Sequence, residues 1–252
     1  MTSRWVKRAA IAVLAVVVVL FGAGAWYVND YYRADDVASA VMADADGDAN
    51  GVVVRELSGG AVAFVPGEPV AGLVFYPGAK VQPEAYAPLM EQCAERGVLC
   101  VLVRPLFNLA LLDVNAANGV MEQFPDVDTW MVGGHSMGGV AGASFAAQHA
   151  GAFDALVFLA SYPNDDLSGF DGEVLSLYGS NDEVLNRDKR AAAFSQLPSD
   201  ARDEEIAGGN HGQFGNYGEQ AGDGTATITR EEQQAQTADA IAELAQERRA
   251  MR

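Results

Sequence analysis

Two hydrophobic patterns follow one another along the chain. The first is an unbroken apolar run without a charged residue, at positions 9–28. At a rise of about 1.5 Å per residue, a helix of this length spans the roughly 30 Å hydrocarbon core of a bilayer. The second pattern begins near residue 51, where short apolar runs alternate with segments of helical length. This alternation is typical of βαβ units around a mostly parallel sheet.

The short apolar runs predict eight strands, of which the first two form a hairpin at a sheet edge. They cover residues 52–57, 61–65, 71–76, 98–103, 129–133, 155–160, 174–178 and 204–207. Helices are predicted at residues 83–96, 111–123, 137–149, 189–197 and 230–248. Tyr86, Leu89, Met90 and Cys93 form an apolar stripe on the first of these helices, which we expect to pack on the sheet. Right-handed crossovers then produce a three-layer α/β/α sandwich.

Charges on either side of the N-terminal run predict its orientation. Arg4, Lys7 and Arg8 precede it and acidic residues follow it, so the positive-inside rule places the N-terminus in the cytoplasm. We therefore predict a cytoplasmic tail (1–8), a transmembrane signal anchor (9–28), a juxtamembrane stalk (29–50) and an extracytoplasmic domain (51–252). The alternative is a signal peptide cleaved after Ala23-Gly24-Ala25 and a secreted domain. Both interpretations export the domain.

The net charge and the cysteine and histidine content indicate which kinds of ligand the chain should not bind. The formal net charge of −18 repels phosphate backbones, so nucleic-acid binding is not expected. The two cysteines, Cys93 and Cys100, are predicted to be separate buried thiols, although an exported location would permit a disulfide. No cluster of Cys, His and carboxylate residues has metal-ligand spacing, and we expect neither a metal nor another cofactor.

The segment Gly134-His135-Ser136-Met137-Gly138 has the pattern G-x-S-x-G between a predicted strand and a predicted helix. A nucleophilic serine at such a sharp turn needs small residues two positions before and after it, because the backbone approaches closely there. The amide of Met137, at the start of the helix, can then donate to a developing oxyanion. Ser136 is the predicted nucleophile.

A serine needs a base, and the chain contains three histidines. The side chain of His135 should leave the turn in another direction, and His149 should end the following helix. This leaves His211, in a glycine-rich loop after the last strand. The orienting acid should follow a buried strand between serine and histidine, which favours Asp182 over the neighbouring Glu183.

Two further groups of residues complete the predicted site. After the strand at 71–76, the amide of Ala79, or less favourably of Gly78 or Lys80, should be the second oxyanion donor, since Pro77 has no N–H. Only 13 residues separate the strands ending at 160 and starting at 174, too few for a cap domain. The site should therefore be open and lined by loops. The candidate pocket walls are Phe107, Asn108, Tyr162 and Phe214.

The chain resembles α/β hydrolases from about Gly51 to its C-terminus. The motifs that carry the resemblance are FYPGAKVQPEAYAPL, GGHSMGG, LYGSNDEVL and GGNHGQFGNYG. Within this superfamily it resembles membrane-anchored bacterial hydrolases, and in its compact core dienelactone hydrolases. The latter use cysteine where this chain has Ser136, so their activity is not implied.

The resemblance implies a triad of Ser136, Asp182 and His211, in agreement with the prediction from the residues themselves. The expected function is hydrolysis of small or medium acyl esters or thioesters through an acyl-enzyme. Transfer of the acyl group to another alcohol, or a non-catalytic binding module, are the alternatives. The sequence leaves the natural substrate and the oligomeric state open.

Overall fold

The N-terminal apolar run is helical. A computed structural model describes residues 2–43 and 51–251, which fall into two units divided between Tyr31 and Tyr32. In the first unit, α1 (Thr2–Asn29) contains a stretch long and apolar enough to cross a membrane, a property that signal sequences near an N-terminus share. Residues 44–50 of the predicted stalk, Met1 of the predicted tail and Arg252 lie outside the described residues.

The second unit is built on one eight-stranded sheet. Its strands are β1 (Val52–Glu56), β2 (Val62–Pro66), β3 (Ala71–Tyr76), β4 (Val98–Leu102), β5 (Trp130–His135), β6 (Ala155–Leu159), β7 (Glu173–Gly179) and β8 (Arg202–Ile206). The order is β1-β2-β4-β3-β5-β6-β7-β8; β1 pairs antiparallel with β2 and β2 with β4, whereas the other pairs are parallel. Each strand lies within two residues of its predicted bounds, and the hairpin forms the predicted edge.

Helices cover both faces of the sheet. They are α2 (Asp36–Ala43), α3 (Ala87–Glu95), α4 (Met137–Gln148), α5 (Arg187–Ala193) and α6 (Arg230–Ala250). Along β3, Leu73 and Phe75 join a buried cluster with α3 and α6, whereas Val74 and Tyr76 join a second cluster with α4. Because successive strand residues point to opposite faces, one strand contributes to both cores. The predicted three-layer sandwich is confirmed, and so is the burial of the apolar stripe on the first predicted helix.

The predicted helix at 111–123 was wrong. In its place the chain forms short 3₁₀ turns at Leu106–Asn108, Ala110–Leu112, Val114–Ala117 and Met121–Gln123. Asp113 accepts a hydrogen bond from the amide of Leu106, and Gly119 has a φ of +75°. A side chain that bonds to nearby backbone and a glycine in the left-handed region favour turns over a continuous helix.

Part of the predicted stalk belongs to the second unit. Tyr32 forms a parallel bridge with Val81, and α2 packs on α3 with Ala38 fully buried. Cys93 and Cys100 are buried free thiols, as predicted.

Candidate active site

Ser136 sits at the turn between β5 and α4. Its φ of 53° and ψ of −125° lie outside the regions favoured by residues other than glycine, a strain of about 1–3 kcal/mol that the surrounding contacts must maintain. Its amide donates to the carbonyl of Leu159 at 2.9 Å. A Cβ on Gly134 or Gly138 would come within 2.3 or 2.2 Å of the carbonyl oxygen of Tyr76. Only glycine at both positions permits this approach of the turn to β3.

Asp182 and His211 are 29 positions apart and follow the carboxyl ends of neighbouring strands, β7 and β8. Nδ1 of His211 lies 2.8 Å from Oδ2 of Asp182, and both side chains are buried. Oδ1 of Asp182 accepts from the amides of Val184 and Leu185 at 2.9 and 2.8 Å. Three hydrogen bonds therefore hold this carboxylate, whereas the alternative acid, Glu183, is exposed.

The free nitrogen of the imidazole is Nε2. This atom of His211 is buried and has no hydrogen-bond partner among the described residues, and Ser136 lines the same cleft as His211. Since the bond to Asp182 places the ring proton on Nδ1, the lone pair of Nε2 is available to accept a proton. The structure therefore pairs Asp182 with His211 and places His211 and Ser136 in the lining of one cleft, without a hydrogen bond between Nε2 and the serine among the described residues.

The loop after β3 was expected to supply an oxyanion donor. The structure shows which amides of this loop already donate a hydrogen bond. The N–H of Gly78 donates to the hydroxyl of Tyr86 at 3.0 Å, and the N–H of Lys80 donates to the carbonyl of Asn108 at 2.8 Å. In the described part of the chain, the amide of Ala79 has no acceptor. The amide of Met137 lies in the first turn of α4, where helical partners are lacking.

The side chain of His135 does not line the cleft, as expected, but it packs against His211 on the buried side. Its ring centroid lies 4.4 Å from that of His211, and its Nδ1 is 2.7 Å from the hydroxyl oxygen of Tyr86. This hydroxyl also accepts from the amide of Gly78, so it links Gly78 to His135. Burial, and secondarily the charge on His211, hold the pKa of His135 well below its usual range. A neutral imidazole thus lies behind the candidate base.

Tyr86 and Ser161 are polar residues of the site that were not predicted. Tyr86 was assigned only an apolar role, because helical periodicity does not distinguish tyrosine from phenylalanine. Ser161 donates from Oγ to the carbonyl of Ser136 at 2.6 Å. Its position just after the carboxyl end of β6 could have indicated a role in the site. In open α/β sheets, functional groups gather where the carboxyl ends of the strands meet.

The cleft at Ser136 and His211 has a volume of about 240 Å³. Its apolar wall includes Leu111, Val140, Val184 and Leu185, and Asn164 and Asn186 contribute polar groups. Among the residues that the structure describes, no group of three or more His, Cys, Asp or Glu side chains could hold a metal ion.

The four predicted pocket walls lie in different places. Tyr162 lines the cleft. Phe107, which is exposed, and Asn108 lie outside its lining, on the loop that accepts from Lys80. Phe214 is fully buried, with its ring centroid 5.5 Å from that of His135. It packs behind the histidines because the 3₁₀ turn Gly212–Phe214 enters the core directly after His211.

Comparison with known proteins was made by family and by structure. Residues 72–235 match the model of a family described as the alpha/beta hydrolase family. No curated protein sequence matches the chain. A predicted CIB-like hydrolase from Thermoplasma acidophilum is similar in structure, with a TM-score of 0.55 and 17% identity over 77% of this chain and 100% of that one.

Two further solved structures are similar. Dienelactone hydrolase from Anabaena variabilis has a TM-score of 0.58 and 15% identity over 77% of this chain and 97% of its own. Est1E from Butyrivibrio proteoclasticus has a TM-score of 0.53 and 16% identity over 79% of this chain and 99% of its own. At these identities the likeness is one of fold.

Proposed function

The chain belongs to the alpha/beta hydrolase family, and on that premise we propose that it is a serine hydrolase that cleaves small or medium acyl esters or thioesters. The observation that carries the proposal is the buried 2.8 Å hydrogen bond between Asp182 and His211. It orients an imidazole whose unpartnered Nε2 belongs to the same cleft as Ser136. A structural histidine in a loop would not need a buried carboxylate to select its tautomer.

In the first half of the reaction, Oγ of Ser136 attacks the carbonyl carbon and its proton passes to Nε2 of His211. Asp182 stabilises the imidazolium that results. The tetrahedral intermediate collapses, the bond to the alcohol or thiol breaks, and the leaving group takes the proton from His211. An acyl-enzyme on Ser136 remains.

In the second half, His211 accepts a proton from water, and the hydroxide attacks the acyl-enzyme. The proton then returns to Oγ of Ser136 as the carboxylic acid departs. The amides of Met137 and Ala79 are the proposed donors to the oxyanion in both halves. Each such donor is typically worth about 3 kcal/mol of transition-state stabilisation. Gly78 is the less suitable donor, because Tyr86 already occupies its amide.

The walls of the cleft support an acyl substrate with a short or medium apolar chain. Leu111, Met137 and Val184 line the cleft yet remain exposed, so an acyl chain lying on them would remove apolar surface from water. Each buried methylene contributes about 0.8 kcal/mol, or roughly a fourfold gain in kcat/KM. The gain should end when the chain outgrows a cleft of about 240 Å³.

We also propose that α1 is a signal anchor, with the N-terminus in the cytoplasm and the catalytic unit outside the cell membrane. The length and apolar composition of α1 support this proposal. Determining the N-terminal sequence of the membrane-bound protein tests it: an intact Arg4 supports an anchor, whereas a chain beginning after Ala25 would indicate a cleaved signal peptide and a secreted enzyme.

A fluorophosphonate probe tests the nucleophile. The full chain in detergent should be labelled, and Ser136→Ala should abolish both labelling and ester turnover. Ser144→Ala is the matched control, because Ser144 is on the same helix with its hydroxyl bonded to Asp165 at the surface. Undiminished labelling of Ser136→Ala would refute the assignment.

A panel of p-nitrophenyl esters with acyl chains of increasing length tests the substrate class. We expect kcat/KM to rise by up to about fourfold per methylene and then to fall. Turnover that stays constant from acetyl to long acyl chains would contradict the proposed role of the cleft wall. Adding a primary alcohol and measuring the ester formed separates hydrolysis from acyl transfer.

A further inference from the structure

The segment 32–35, here called the strap, crosses the loop that follows β3. The N–H of Tyr32 donates to the carbonyl of Lys80 at 2.7 Å, and the carbonyl of Tyr32 accepts from the amide of Gln82 at 2.8 Å. The strap thus forms a parallel bridge, between Tyr32 and Val81, with the residues directly after Ala79. The position of the proposed oxyanion donor depends on how firmly these residues are held.

The same four residues contact the loop that carries the proposed base. The N–H of Asp35 donates to the carbonyl of Asn216 at 2.9 Å, and the hydroxyl of Tyr32 accepts from the amide of Ala221 at 3.1 Å. Both partners follow His211 in its loop. The strap therefore joins two loops that come from different strands and carry different parts of the proposed machinery.

Side chains strengthen this second connection. The ring of Tyr32 lies 5.4 Å from that of Tyr217, and Asp35 accepts from the Nδ2 of Asn216 at 3.3 Å. Arg230 forms an ion pair of 3.5 Å with the same carboxylate. These partly buried contacts are specific to the side chains, so they can be removed without altering the backbone of the strap.

The strap is also held at its C-terminal end. Oδ1 of Asp35 accepts from the amide of Ala38 at 3.0 Å and so caps α2, whose Ala38 is fully buried. Tyr32 follows Asn29, the last residue of α1, by three positions. Although the composition around residues 32–35 is typical of a spacer, these residues have defined hydrogen-bond partners.

We propose that the strap is a positioning element of the active site, so that the catalytic unit begins at Tyr32 and includes the segment next to the N-terminal helix. The proposal rests on the proposed hydrolase function. Catalysis requires the oxyanion donor and the base to be held together in the geometry of the transition state, and a misplacement of 1 Å can reduce the rate by about 100-fold. Tyr32 and Asp35 act through Ala79 and His211 and touch no reacting atom.

The test measures ester turnover by the full chain in detergent. Tyr32→Ala should lower kcat by about tenfold with KM changed by less than twofold, because positioning affects the transition state more than ground-state binding. Tyr32→Phe keeps the ring contact with Tyr217 and should recover most of the loss. Val37→Ala, an exposed substitution on α2, is the matched control and should leave kcat unchanged. An unchanged kcat in Tyr32→Ala would overturn the proposal.

Amide hydrogen exchange provides a readout that does not depend on activity. In Tyr32→Ala, exchange at residues 78–82 and 212–221 should accelerate together, with the thermal midpoint close to that of the parent chain. Unchanged exchange in both loops would overturn the proposal. If the parent chain hydrolyses no ester, the proposed function fails, and the exchange result still decides the role of the strap.

A second variant covers the case in which Tyr32→Ala does not fold. Asp35→Ser keeps an N-cap oxygen for α2 but removes the contacts with Asn216 and Arg230. We expect faster exchange at 212–221 and a kcat reduced by severalfold. A variant with parental exchange and kcat would overturn the proposal.

Discussion

Replacing Tyr86 by phenylalanine removes one buried oxygen atom at the back of the candidate site. This hydroxyl accepts from the amide of Gly78 at 3.0 Å and lies 2.7 Å from Nδ1 of His135. Tyr86 is fully buried, so water cannot take over either contact. The change therefore leaves the amide of Gly78 and Nδ1 of His135 without a partner at the same time.

The expected loss of stability follows from the number of buried polar groups that lose their hydrogen-bond partner. Each unsatisfied buried polar group costs about 1–3 kcal/mol, so Tyr86→Phe should lower the free energy of unfolding by about 3 kcal/mol. Tyr217→Phe is the matched control, because this tyrosine is also buried and its hydroxyl donates to a single side chain, at Oε1 of Gln220. Its loss should cost about 1 kcal/mol, since only one acceptor is left without a partner.

Urea-induced unfolding of both variants, followed by circular dichroism in detergent, measures the difference. The kcat of Tyr86→Phe should also fall, because Gly78 directly precedes Ala79, the proposed oxyanion donor. Equal losses of stability in the two variants would refute the inference that Tyr86 bridges two polar groups. A change in the urea slope would instead indicate an altered unfolded state and would require thermal data to decide.

Three further predictions concern the same site. In Asp182→Asn the side chain still accepts from two amides but turns an N–H toward His211. The kcat for ester hydrolysis should therefore fall by about 10³–10⁴-fold. A loss below tenfold would contradict the assignment. Gly138→Ala would bring Cβ within 2.2 Å of a carbonyl oxygen, so turnover should fall by more than about 100-fold, whereas Gly169→Ala, with open space around it, should keep parental turnover. His135 is held neutral in the folded chain and is protonated in the unfolded chain below about pH 6.5, so stability should decrease as the pH falls below this value, by up to about 1.4 kcal/mol per pH unit. Urea unfolding at several pH values should show a flatter dependence in His135→Gln, and an identical slope would refute the argument.

The turn at Ser136 could be predicted because its requirements are local. A buried strand, glycines two positions before and after the serine, and a helix directly afterwards are all visible in ten consecutive residues. Asp182 and His211 could be predicted by elimination, since three histidines leave few choices and the carboxyl ends of parallel strands meet at one edge of the sheet.

The structure differs from the predictions where side chains make contacts that hydrophobic periodicity does not encode. The helix predicted at 111–123 satisfied a local pattern, yet the side chain of Asp113 reaches back to the amide of Leu106 and the segment forms separate turns. No role was predicted for His135, because the side chains of adjacent residues usually point in different directions. The hydroxyl of Tyr86, 49 positions earlier in the chain, holds the ring of His135 beside His211.

By itself, the sequence determined the strand order along the chain, the two apolar faces of the sheet, the apolar helix at the N-terminus and the identity of the three candidate catalytic side chains. Hydrophobic periodicity and backbone steric limits act over a few residues, so they can be recognised in the sequence alone. Only the tertiary structure decided which amide after β3 remains free, which way His135 points and that the strap joins two loops. Each of these depends on hydrogen bonds between separate elements of the fold, and no local pattern encodes such pairings.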